Sequence, residues 1–116
     1  MTKTTYRQGD IVLIPYPYDD LSSVKKRPVI ILSKDEINQD SFIVVKVTSV
    51  VRRDEFSFLL IDEELSLALP KPSEVRTHQL FSAHKTLIIK KISSLNLHAL
   101  SRLSNRVQEH IRVPGE

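Results

Sequence analysis

The spacing of apolar residues changes period once along this 116-residue chain, near Asn96, and that change limits the folds open to it. Before it, β-branched apolar residues come in short runs bounded by turn formers, the mark of short strands. After it, Leu97, Leu100, Leu103, Val107 and Ile111 follow at steps of three and four, which sets them on one face of an α-helix. The runs predict strands at Ile11 to Tyr18, Arg27 to Ser33, Ser41 to Val51, Phe56 to Asp62, Val75 to Leu80 and Leu87 to Lys91. Asn96 suits the helix N-cap, since its side chain accepts from the free amides of the first turn, and Pro114-Gly115 ends the helix. No helical pattern separates the early strands, which disfavours a doubly wound α/β sheet. The expected fold class is mainly β with a C-terminal α-helix: a compact, strongly bent barrel, one domain over residues 1–116.

Composition excludes several classes of function. Hydrophobic residues at 41% and charged residues at 27% are those of an ordinary globular domain, neither disordered nor fibrous. The absence of cysteine excludes a disulfide framework and any thiolate metal site, and fits a cytoplasmic protein. The histidines, at 78, 84, 98 and 110, match no zinc spacing, so no metal and no cofactor is expected. Residues Met1 to Asp10 hold no apolar run that could serve as a signal-peptide core, and no segment has the length of a membrane span. A net charge of +3, with a pI of about 9.3 and local cationic clusters, points to an anionic partner without choosing between nucleic acid and an acidic protein.

Two connections stand out. Asp19 to Lys26 is polar, turn-forming and cationic at its end, and reads as an exposed, mobile loop. Glu63 to Pro72 carries Pro70 and Pro72 around a lysine and should cross the surface, with Leu65, Leu67 and Leu69 covering an edge of the core.

Three motifs occur in order: Gly9-Asp10 opening an apolar strand, Arg27-Pro28 opening a second, and Val47-Thr48-Ser49 at the end of a third. With Ser73-x-Val75-Arg76 and the C-terminal helix, they resemble the MazF/PemK family over nearly the whole chain. The resemblance implies a small SH3-like barrel, usually a homodimer, that cleaves single-stranded RNA at short sequences and is neutralised by a cognate antitoxin. It also implies a catalytic pair, the arginine of Arg-Pro and the hydroxyl residue ending the third strand, which here are Arg27 and Thr48. Many relatives carry a Gln-[apolar]-Arg-Thr pattern where this chain has Gln79-Leu80-Phe81-Ser82, so Phe81 stands in place of a cation that Arg76 or Lys85 would have to supply. Related CcdB-type toxins bind DNA gyrase instead of cutting RNA, and a generic SH3-like binding module is a third possibility.

Arg27 also has a physical case of its own. A guanidinium keeps its charge and offers a planar fork of donors suited to a phosphate under attack. The bland alternative is that Lys25-Lys26-Arg27 is a solvated charge run. Thr48 and Ser49 point to opposite faces of a regular strand, so one of them faces a phosphate, and the family match favours Thr48. The expected RNA-binding set is Lys25, Lys26, Ser49, Arg52, Arg53, Arg76 and Gln79, with Lys46 beside it. Arg52 and Arg53 read equally as a charged hairpin end balanced by Asp54 and Glu55. Tyr16 and Tyr18 share a strand face and either stack on bases or pack in the core. His78 and His84, six residues apart on a straight strand, would be roughly 20 Å apart and too distant for one phosphate. His98 and His110 are expected at the helix surface.

Overall fold

A computed structural model describes residues 5–16 and 25–115. Six strands are hydrogen-bonded in one antiparallel sheet: β1 (Asp10–Tyr16), β2 (Lys25–Ile31), β3 (Ser41–Thr48), β4 (Ser57–Leu60), β5 (Ser73–His84) and β6 (Lys90–Ser94). Their order across the sheet is β4-β5-β3-β2-β1-β6, and the helix α1 (Leu97–Ile111) follows β6. The sheet is mainly β in a half-barrel, as the period change requires.

Alternation along the central strands supplies two cores. Ile11, Ile30, Val45, Val47 and Val75 point to the helix, where Ala99, Leu100, Leu103 and Val107 meet them. Val12, Ile14, Val29, Ile31, Phe42 and Val44 point to the other face and pack with Tyr6, Phe81 and Ile88. With only one α-helix among the described residues, α1, to cover the sheet, the strands curl, and the register shows where they do. Between Val45↔Leu80 and Val47↔Val75, β3 advances past Lys46 alone while β5 advances past residues 76–79. A second slip occurs between β1 and β6, where β6 passes over Ile92 while β1 goes from Ile11 to Val12. Such irregularities bend and coil a sheet. The two edges are then joined: Leu65 bridges to Leu95, Ser66 N donates to Ser94 O (2.9 Å) and Asn96 N to Glu64 O (2.8 Å).

The Gly9-Asp10 motif has an architectural reason. Gly9 sits at φ +92°, and a Cβ there would lie 3.1 Å from Leu100 Cδ2 of the helix. Asp10 is buried, accepts from Arg7 N (2.8 Å) and pairs with Lys91 Nζ (3.1 Å). Together they fix the chain's entry into β1 under the helix start.

Several expectations shift. The loop of Asp19 to Lys26 lies outside the described residues through position 24, as does Tyr18, but Lys25 and Lys26 already belong to β2, opposite Tyr16 and Pro15. β3 stops at Thr48 and β5 runs on to His84, because Phe81 and Ala83 join the second core. The last strand begins at Lys90, after a 3-10 turn at Lys85–Leu87. Asn96 caps the helix as expected, its side chain accepting from Ala99 N (2.8 Å). Leu97 (78% exposed) and Ile111 (69%) do not reach the core, because the 15-residue helix rests on the sheet only through its middle, and Ala99 joins the buried stripe.

Replacing Leu103, which is fully buried, with alanine is expected to cost about 2–5 kcal/mol in denaturant unfolding. Leu97→Ala on the same sequence stripe is expected to stay within about 0.5 kcal/mol.

Candidate nucleic-acid interface

The register of the central strands brings the two expected catalytic residues together. The β2–β3 pairing ends at Val29↔Lys46, and Arg27 and Thr48 lie two residues beyond it on their strands, at the same end of the sheet. A cleft of about 750 Å³ opens there, lined by Arg27 and Thr48 together with Lys26, Lys46, Ser49 and Arg52. Its far wall comes from Leu67 to Lys71 and from Lys90. Six cationic side chains line it, Lys26, Arg27, Lys46, Arg52, Lys71 and Lys90, and among the described residues no acidic one does. Like charges gathered around a partly enclosed apolar wall raise the local potential for an anion well above what a net charge of +3 suggests.

Each group is held by its strand. Arg27 is half-buried, paired across the sheet with Ile14, and followed by Pro28, which favours extended backbone at position 27. Thr48 Oγ1 accepts from Val50 N (3.1 Å), which fixes the hydroxyl at the strand end with its own proton directed elsewhere. Ser49 also lines the cleft, because β3 has ended and the alternation that would separate the two hydroxyls no longer applies. Lys46 Nζ lies 5.0 Å from the centre of the Tyr16 ring. Tyr16 is buried, with its ring edge-on to Phe81 (5.7 Å), so it packs rather than offering a stacking face.

Four of the expected residues stand elsewhere. Lys25 and Arg53 are exposed but do not line the cleft, and Gln79 is half-buried away from it. Arg76 is 6% exposed and makes two hydrogen bonds to Asp54 (2.9 and 3.1 Å) and one to Glu74 (2.7 Å). It therefore does not replace the missing cation at Phe81, and Lys85 pairs with Asp40 (3.3 Å). Of the histidines, His78 stacks on Phe56 (4.0 Å between centroids), and His110 Nε2 lies 2.7 Å from Thr77 Oγ1, so His110 is held despite its exposure. Burial, aided by Arg76 and His110, pushes His78 below its ordinary value. Neither His78 nor His84 lines the cleft.

Lys71 and Lys90 went unanticipated. Pro70-Lys71-Pro72 was legible as a stiff lysine-bearing connection, but nothing local showed that it faces β2 and β3 across a cleft.

The structure is a curled antiparallel half-barrel with a cationic cleft at the end of its central strands, lined by no acidic side chain among the described residues. The chain belongs to the PemK-like, MazF-like toxins of type II toxin-antitoxin systems, whose family model matches residues 7–111. No match was found among curated protein sequences. Among solved structures, MazE-MazF from Deinococcus radiodurans superposes with a TM-score of 0.78 at 14% identity, covering 94% of this chain and 97% of that one. An endoribonuclease in complex with its cognate antitoxin from a mycobacterial species gives 0.73 at 11% identity, over 96% and 99%. The Mycobacterium tuberculosis toxin MazF-mt6 gives 0.70 at 18% identity, over 88% and 95%. At these identities the likeness is one of fold.

Beneath the cleft's rim, Arg76 holds Asp54 down at about 2, through its hydrogen bond first. Burial pushes Glu74 up, but bonds from Ser57, Arg76 and the Arg52 and Arg53 amides outweigh it and leave it below the usual range. Both carboxylates have folded values below their unfolded ones, so they stabilise the fold above the unfolded values, and that contribution is lost as pH falls. The urea midpoint is expected to fall between about pH 5 and pH 2, and Asp54→Asn to flatten that dependence.

Proposed function

We propose that this chain is a metal-independent endoribonuclease toxin that cuts single-stranded messenger RNA at a short sequence in the cytoplasm. The observation that carries the reading is the meeting of Arg27 and Thr48 in one cationic cleft free of acidic side chains among the described residues. Lysines and arginines spaced along a groove suit the phosphates of an extended strand.

In the proposed reaction the ribose 2′-oxygen attacks its own 3′-phosphate. The 2′-hydroxyl gives up its proton to water, a P–O2′ bond forms, the P–O5′ bond breaks, and the departing oxygen takes a proton from water, leaving a 2′,3′-cyclic phosphate and a 5′-hydroxyl. Arg27 stabilises the charge gathering on the phosphorane, and Thr48 orients the phosphate through its hydroxyl proton. The cleft offers no carboxylate for a magnesium ion among the described residues, so neutralisation falls to the guanidinium and the lysines. With Phe81 packed on Tyr16, Lys46 over that same ring is the cation that best takes the place of the arginine relatives carry. The partner follows from charge: an antitoxin with an acidic, partly disordered segment lying over the cleft, and a second copy of the chain completing a homodimer.

Purified protein and Arg27→Ala, incubated with a long unstructured RNA in EDTA, test the reading. The expected result is cleavage at a recurring short sequence with 5′-hydroxyl ends, reduced about 10²- to 10³-fold or more in the variant. A folded wild type that leaves varied RNAs intact would contradict it and favour a toxin that acts by binding.

A further inference from the structure

Thr48 is the last residue of β3, and its partner across the ladder is Glu74. From Thr48 the chain leaves the sheet as a lip, and Thr48, Ser49, Val50 and Arg52 line the cleft. The lip ends at Arg52 and Arg53, whose backbone amides donate to Oε1 of that same Glu74 (2.8 and 3.3 Å). Oε2 accepts from the Ser57 hydroxyl (2.6 Å) and from Arg76 Nη1 (2.7 Å). Arg53 is held at φ +51°, a conformation that side-chain-bearing residues adopt at a cost, so the turn needs an anchor. The carboxylate is fully buried, where a donor left without an acceptor is expensive.

We propose that Glu74 is a positioning residue for the RNA site: its backbone fixes where the lip begins and its carboxylate fixes where the lip ends. Together these set the Thr48 hydroxyl and Arg52 against the scissile phosphate. The inference rests on the endoribonuclease reading. Glu74 does not line the cleft and acts through the residues it holds.

Glu74→Gln keeps the shape but replaces one acceptor oxygen with an NH2 group, so in either orientation a donor faces a donor. Leu100→Ala, on the helix side against Gly9, serves as a destabilised control remote from the lip. On an RNA oligonucleotide, with both variants folded by circular dichroism, Glu74→Gln is expected to lower kcat about tenfold or more and Leu100→Ala no more than about twofold. Amide exchange at Arg52 and Arg53 should quicken at least about tenfold in Glu74→Gln and not in the control. If Glu74→Gln does not fold, Ser57→Ala removes one of the carboxylate's bonds and gives the same readouts at smaller amplitude. Equal kcat losses in Glu74→Gln and Leu100→Ala overturn the inference. So do Arg52 and Arg53 amides that exchange as fast in the wild type as in the variant. A wild type that leaves RNA intact contradicts the nuclease reading instead, and the exchange at these two amides then decides alone whether Glu74 sets the lip.

Discussion

Strand β3 is hydrogen-bonded on both sides, to β2 and to β5, and is buried on both faces, with Val44 toward one core and Val45 and Val47 toward the other. A slip of one residue would exchange the two faces, so burial on each side locks the register. At about 1.5–3 kcal/mol per fully buried aliphatic side chain, the few residues of this strand outweigh any single polar contact at the cleft. The same strand carries Thr48 at its end, into the cleft that Arg27 also lines. Apolar packing in the middle of the sheet therefore decides which polar groups meet at its edge.

The cleft's character also depends on where the acids are. The chain carries 14 acidic residues against 17 lysines and arginines, a balance that would neutralise a randomly mixed surface. Instead Asp10 pairs with Lys91, Glu64 with Arg102, Asp40 with Lys85, and Asp54 and Glu74 with Arg76. No acidic side chain stands among the described residues that line the cleft. Arg76 illustrates the division of labour: a buried arginine between two carboxylates holds the rim, whereas a half-buried one at a strand start faces the cleft.

The parts legible from sequence were those fixed by local period or by motif. The helix and its Asn96 cap followed from steps of three and four, and the strands from β-branched runs. The pairing of Arg27 with Thr48 came from the family resemblance, and the register then brought them to one cleft. What stayed illegible depends on distant contacts. Glu74, two residues before Arg76 on the same strand, is a local partner, but the second carboxylate that makes Arg76 a structural arginine, Asp54, is 22 residues away. Lys71 and Lys90 reach the cleft only because the sheet curls, and the exposure of Leu97 follows from where the helix overhangs its support. Both the curl and the bulge at residues 76–79 are settled by packing on two faces at once, which no window of sequence contains.

The most direct measurement is an amide chemical-shift map of the protein bound to a single-stranded oligonucleotide with 2′-deoxyribose at the cleavage site, which binds but cannot react. The account predicts the largest changes at Arg27, at Thr48 to Arg52, and at Lys71 and Lys90. Changes centred instead on residues 76–79 and the helix surface, with the cleft unmoved, would contradict it.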